Sequence, residues 1–260
     1  GSLFTMTYYG SQRVVKNYLV ELLHRGPPGV PVVPVFTGAG QVGYRVASAF
    51  VRQLAQLPAI AETGDWIEPR AGDTFFALDL QPHFVATNAD YLASLRQRGV
   101  RVAFMVYDLL PVRLADCFYP EAAEHHARWL HIVANADMAI CISQSVAREL
   151  REWLDANAPG APLRDIRWVH LGADLGERLA TRGLPEDAEA TLVRVRERPS
   201  FLMVGTLEPR KSHAQVLDAF EELWRRGTDV MLVICARPGW LTDALVQRLC
   251  THPESGKRLL

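Results

Sequence analysis

Between Val100 and Tyr107 the chain reads V-R-V-A-F-M-V-Y, almost entirely apolar and rich in β-branched and aromatic side chains. A strand of that composition has to be covered on both faces. Asp73–Leu80, Met138–Ile142 ("MAICI") and Trp168–Leu171 read as further short strands. Helical patterns accompany them at Arg13–Arg25, Tyr44–Gln56, Asn88–Arg98, Glu121–Ala134 and from Ser143, a capping residue, through Leu154. In the first of these, Val14, Val15, Tyr18, Leu19, Leu22 and Leu23 recur at helical spacing. Strands alternating with amphipathic helices predict an α/β fold with parallel sheets covered on both sides. Val30–Phe36 is strand-like too, but Pro31 and Pro34 suit only an edge or an irregular segment.

Residues from about 175 to 198 are charged and contain Gly183 and Pro185, as an inter-domain connection would. The pattern then restarts. "SFLMVG" (Ser200–Gly205) reads as a buried strand. A helix over 213–226 follows, with Val216, Leu217, Phe220, Leu223 and Trp224 on one face and Gly227 as its stop. Asp229–Ala236 and Leu241–Leu249 read as the next strand and helix. The expected organisation is a first domain over 1–180, a linker over 181–198 and an opening part of a second domain over 199–260. So short a second sheet leaves an exposed edge and half a core, which reads as a domain cut short at Leu260.

The 260 residues carry a net charge of −1, which argues against a general nucleic-acid binder. Cys117, Cys141, Cys235 and Cys250 are scattered without a C-x-x-C pair, the usage of reduced thiols in a cytoplasmic protein. No apolar run is long enough to span a bilayer. His125, His126 and His131 share a helix but form no H-E-x-x-H, so no metal site is expected. Neither a D-x-D nor a G-x-S-x-G occurs.

Two stretches invite a nucleotide. Gly38-Ala39-Gly40-Gln41-Val42-Gly43 matches a dinucleotide fingerprint in letters, with Ala47 at a small position and Glu62 near the distance of the ribose acid. That reading gives an NAD(P)-dependent oxidoreductase. Prolines interrupt its strand, however, and "QLPAIAETGDW" is a poor second strand. "VGTLEPRKSHAQ" (Val204–Gln215) is the stronger case, because it joins an expected strand to an expected helix. Ser212 and Gln215 form a capping-box pattern, which predicts a helix start at Ser212 with Arg210 and Lys211 just before it. A helix N-terminus offers unbonded N–H groups and partial positive charge to an anion, and Gly205 lets backbone approach a ligand. A solvated basic loop is the competing account. Asp108, at the carboxyl end of the strongest strand, either handles a hydroxyl proton or caps local backbone N–H groups.

"PSFLMVGTLEPRKSHAQVLDAFEELW" resembles the start of the donor-binding domain of bacterial retaining GT-B glycosyltransferases, the glycosyltransferase group 1 and mannosyltransferase-like family. "GSQRVVKNYLVELL", "VAFMVYDLLPVR", "ADMAICISQSVARELREWL" and "VHLGADL" resemble that family's upstream landmarks in the same order, so the likeness covers nearly the whole chain. It implies a GT-B type architecture of two Rossmann-like parallel-sheet domains. It implies transfer of a hexose, mannose-like, with retention, from a nucleotide-diphosphate sugar such as GDP-mannose. The acceptor is a saccharide or lipid-linked molecule in surface polysaccharide synthesis, at the cytoplasmic face of the inner membrane with peripheral contact to it. No bound metal is required. Lys211, Arg210, Gly205, Thr206, Ser212 and Gly10 would hold the donor diphosphate, and Asp108 would contact the acceptor as the catalytic residue. The sequence departs from the family pattern at three positions. Ser212 stands where a Gly is common, Thr206 where an Arg is common, and Tyr107 where a His precedes the Asp. The family's E-x7-E segment is expected beyond Leu260, so the 260 residues by themselves are expected to be an inactive fragment. A non-catalytic sugar-binding or scaffold protein of the same fold is the other alternative.

Overall fold

This computed structural model describes residues 10–47, 64–172, 184 and 186–260. They divide into two compact units. One holds the described residues through Val112 together with Glu124–Gly172, and the other holds Arg113–Ala123 together with the described residues after Gly172. Residues 48–56 of the expected helix, Glu62, Gly183 and Pro185 lie outside the described residues.

The first unit begins with helix α1 (Gly10–Arg25), followed by short strands β1 (Val35–Phe36) and β2 (Arg45–Val46), paired antiparallel. Strand β3 (Thr74–Ala77), helices α2 (Pro82–Thr87) and α3 (Ala89–Gln97) and strand β4 (Arg101–Val106) come next. Then follow α4 (Leu110–Arg113), α5 (Pro120–Ala134), β5 (Met138–Cys141), α6 (Gln144–Asn157) and β6 (Asp165–Trp168). The order β3-β4-β5-β6 is parallel throughout.

Side chains alternate across β4, and both sets are buried. Val102, Phe104 and Val106 join a core with Leu92 and Leu95 of α3, Trp129, Leu130 and Val133 of α5, and Ala147 and Leu150 of α6. Met105 and Tyr107 belong to a second cluster with Val14, Val15, Tyr18, Leu19 and Leu22 of α1. The periodic stripe of α1 therefore covers the opposite face, as an α/β layer arrangement requires. Ser143 caps α6, its hydroxyl accepting from Val146 N at 3.2 Å. Strand β6 starts three residues earlier than expected from Trp168–Leu171. At an edge of the sheet among the described residues, it alternates polar and apolar residues, and the apolar-run criterion passes over such a pattern.

The glycine loop belongs to a hairpin. Of the helix expected over Tyr44–Gln56, the described residues Tyr44–Ala47 hold strand β2 instead, paired Val35 to Val46 and Phe36 to Arg45. Arg45 also bridges to Trp66 on its other side. Gly38–Gly43 thus joins two antiparallel strands and does not lead from a strand into a helix, which removes the geometry a dinucleotide fingerprint needs. The loop is tied down. Asn88, 0% exposed between α2 and α3, accepts from Gly43 N at 2.6 Å and donates to Gln41 O at 3.2 Å and Phe84 O at 2.9 Å. At Gly43 φ is +92°, and a Cβ would lie 3.2 Å from the Trp66 ring.

In the second unit, helix α7 (Ala188–Arg196) occupies part of the expected linker and leads to strand β7 (Ser200–Val204). A 3-10 turn (Pro209–Lys211), helix α8 (His213–Arg225), strand β8 (Met231–Cys235) and helix α9 (Asp243–Cys250) follow. β7 and β8 pair in parallel, and the last residues add to the other edge of β8, with Leu260 N donating to Leu232 O at 3.0 Å. Leu217, Phe220 and Trp224 of α8 pack with Val230, Leu232 and Leu259. Contrary to the sequence expectation, β7 is not a buried strand: Phe201, Leu202 and Val204 are 55%, 66% and 72% exposed. β8 is its one partner among the described residues, so its outer edge and part of both faces have no covering layer.

Candidate functional site

The turn between β7 and α8 is built on backbone shared with β8. Gly205 N donates to Cys235 O at 3.1 Å and Leu207 N to Arg237 O at 2.9 Å, and Leu207 bridges Pro238, so the parallel ladder runs on past both strands. At Gly239 a Cβ would lie 2.2 Å from Leu207 O and 2.8 Å from Thr206 Cγ2, so only glycine lets the two loops approach this closely. The next residue, Trp240, stacks on Phe118 at 5.7 Å and donates from Nε1 to Cys117 O at 2.9 Å. Those contacts explain why Arg113–Ala123 joins this unit.

Gly205, Thr206, Arg210, Lys211 and Ser212 are brought together in this one turn, at the carboxyl ends of parallel strands where α/β proteins bind ligands. The expected capping box is not formed. Pro209–Lys211 makes a 3-10 turn, Lys211 N bonding Glu208 O at 3.0 Å and Ser212 N bonding Pro209 O at 3.1 Å. Leaving that turn puts Ser212 in the left-handed region (φ 57°, ψ 29°), and its side chain makes no cap bond to α8. The absence of a cap strengthens the anion case, because the first N–H groups of the thirteen-residue helix are left without a side-chain acceptor.

The left-handed residue is also the position where the resembled family carries Gly. Left-handed backbone costs a non-glycine residue about 1–2 kcal/mol, and glycine gives back about 0.5–1 kcal/mol in unfolded-state freedom. Ser212→Gly is expected to raise the stability of this unit by about 0.5 kcal/mol, read as the denaturant midpoint shift at constant slope.

The two basic residues are not equivalent. Arg210 pairs with Glu208 at 2.7 Å, both largely buried, so its charge is balanced within the turn. Lys211 is exposed. His213, the first residue of α8, is buried. Its protonation is opposed by burial and then by Lys211, and favoured by Glu208, with a net fall in its pKa. Sequence reasoning missed Glu208, His213 and Gly239. The opposite charges at Glu208 and Arg210, two residues apart, were the one available signal.

Gly10 and Asp108 belong to the first unit. Gly10 is the first residue of α1. Asp108 Oδ1 accepts from Leu110 N at 3.0 Å, so the local capping role is the one observed, and that bond leaves the second carboxylate oxygen uninvolved. The Asp108 carbonyl lies 3.1 Å from Nε2 of buried His126, which fixes the turn from α5. Burial lowers the His126 pKa, against the opposing Asp108 charge and carbonyl. Tyr107, where the resembled family has His, donates its hydroxyl to Leu78 O at 2.7 Å and is buried, so it ties the ends of β4 and β3 together. Among the described residues no group of three or more His, Cys, Asp and Glu is placed to hold a metal ion, and no helix is long and apolar enough to cross a membrane.

Similarity to known proteins now bears on this turn. Two copies of the serotype-specific mannosyltransferase WbdA of Escherichia coli are 37% identical to the chain over 254 residues, 96% of it, and a third is 35% identical over the same length. The likeness to these mannosyltransferases runs along nearly the whole of the chain. It spans about a third of the length of these relatives (31%, 30% and 31%). No protein-family model matches it. Among solved structures, a UDP-forming α,α-trehalose-phosphate synthase from Burkholderia vietnamiensis is similar at a TM-score of 0.42 and 15% identity, covering 62% of this chain and 39% of that one.

Proposed function

We propose that the chain serves mannosyl transfer from a nucleotide-diphosphate sugar, GDP-mannose, to a saccharide or lipid-linked acceptor in surface polysaccharide synthesis. The observation that carries this reading is the similarity to WbdA along 96% of the chain. In support, the uncapped start of α8 and the exposed Lys211 lie in one turn. A GT-B arrangement, retention at the anomeric carbon, action without a bound metal and work at the cytoplasmic face of the inner membrane belong to the same proposal.

The chemistry follows from charge. Cleavage of the anomeric C–O bond leaves a nucleoside diphosphate whose negative charge grows as the bond breaks. Cations and oriented N–H groups placed where that charge develops stabilise the transition state more than the ground state. Lys211 supplies the mobile cation, and the first N–H groups of α8 supply fixed dipoles. Gly205 (φ +148°, with open space where a Cβ would sit) and Thr206 provide the close backbone approach. Arg210 is held by Glu208 and acts by shaping the turn. Asp108, with one carboxylate oxygen uninvolved in its cap, contacts the acceptor hydroxyl.

Calorimetric titration of the chain with GDP, UDP, GDP-mannose and NAD(P) tests the reading. GDP and GDP-mannose are expected to bind, with Lys211→Ala weakening both by about tenfold or more, the worth of a charge-assisted hydrogen bond. Binding of NAD(P) alone, or equal GDP affinity in Lys211→Ala, would contradict it. Absence of any nucleotide binding would favour a sugar-binding scaffold.

A further inference from the structure

His213 is 1% exposed, and neither of its ring nitrogens has a hydrogen-bond partner. A neutral imidazole carries one donor and one acceptor, and burying either without a partner costs about 1–3 kcal/mol. Nearly all buried polar groups in folded proteins are satisfied, so an imidazole left so is a group waiting for a partner. Its surroundings say which kind. It opens α8, whose first turn has no side-chain cap, and the charged groups acting on it are Lys211 and Glu208, two residues of the preceding turn. Arg210 Nε, in the same turn, is also buried without a hydrogen-bond partner. Unmet donors therefore gather where the donor diphosphate is proposed to sit.

We infer that His213 is a donor-binding residue, its imidazole hydrogen-bonding the diphosphate of the nucleotide sugar seated on the first turn of α8. This rests on the diphosphate reading of the turn and adds a residue to it. The ring acts as a neutral donor, since burial and Lys211 both disfavour its charged form, so its part is orientation and Lys211 supplies the charge.

The test titrates guanosine diphosphate into the wild-type chain and into Lys211→Ala, His213→Leu and His213→Gln, and records thermal unfolding of each. His213→Leu removes two unpaired polar atoms, so its unfolding midpoint is expected not to fall, while its affinity for guanosine diphosphate drops about tenfold. His213→Gln keeps an amide donor and acceptor and is expected to stay within about threefold of wild type. In the wild-type chain the ¹⁵N resonances of the His213 ring are expected to move on saturation with guanosine diphosphate, a readout that does not depend on any variant folding. Wild-type affinity in His213→Leu, a parallel loss of affinity and stability in both His213 variants, or unmoved ring resonances would overturn the inference while Lys211→Ala still binds weakly. Equal binding by Lys211→Ala and wild type would overturn the diphosphate reading itself, and this inference with it.

Discussion

Asn88→Ala is expected to destabilise the first unit by about 3 kcal/mol, the largest loss for any single polar side chain in it. Asn88 is fully buried and makes three hydrogen bonds, to Gly43 N, Gln41 O and Phe84 O. Alanine would leave the Gly43 N–H and the Gln41 carbonyl unpaired, at about 1–3 kcal/mol for each that water cannot reach, while Phe84 O keeps the backbone N–H of residue 88 at 3.1 Å. The Gln41 and Gly43 ends lie in the glycine loop, so the loss should appear there first. Hydrogen exchange at Gly43 is expected to quicken before the global transition in Asn88→Ala. Asn88→Asp keeps the acceptor for Gly43 N but not the two donations, and should fall between. A midpoint within about 0.5 kcal/mol of wild type for Asn88→Ala would show that the loop carries no such anchor.

Gly239→Ala is the second large effect, and it acts on the second unit. The added Cβ would lie 2.2 Å from the Leu207 carbonyl oxygen, a backbone atom that cannot rotate away. Relief requires the loops after β7 and β8 to separate, breaking the Leu207 N to Arg237 O bond and disturbing the neighbouring Trp240 contacts with Phe118 and Cys117. Overpacking of this kind costs about 1–3 kcal/mol, and a lost buried backbone bond adds to it. The expected result is a fall of about 3 kcal/mol in the unfolding free energy of this unit, together with weaker GDP binding, because Thr206 and Leu207 belong to both structures. Unchanged stability would mean that the two loops are not packed against each other as described.

Much of the framework was legible because buried parallel strands and amphipathic helices leave strong periodic signals. The run Val100–Tyr107, the stripe on α1 and the Ser143 cap each appear where the residue pattern places them. The misses have physical reasons. Strands β1 and β2 are two residues long, too short to show alternation, so the glycines between them could be matched to a different fold. What holds that loop is Asn88, 45 positions from Gly43 along the chain, and local pattern does not carry so distant a bond. The S-x-x-Q pattern at Ser212 is a true match in letters. Pro209 favours a 3-10 turn just before it, and the residue leaving that turn takes the left-handed conformation instead of the extended one a cap needs. Helix α2, six residues long, is below the length at which helical period is readable. At the site, the strand–turn–helix frame and the exposed Lys211 were legible. The pairing of Arg210 with Glu208 and the burial of His213 depend on side-chain directions that spacing does not give.

The central claim is that a nucleotide diphosphate binds the turn from Gly205 to His213 and not the glycine loop at Gly38–Gly43. Amide chemical-shift mapping of the chain during a GDP titration tests it most directly. The account predicts that the largest shifts fall on Gly205, Thr206, Lys211, Ser212, His213 and the next two amides of α8, with Gly38–Gly43 unmoved. Largest shifts at Gly38–Gly43, or none in the turn at saturating GDP, would contradict it.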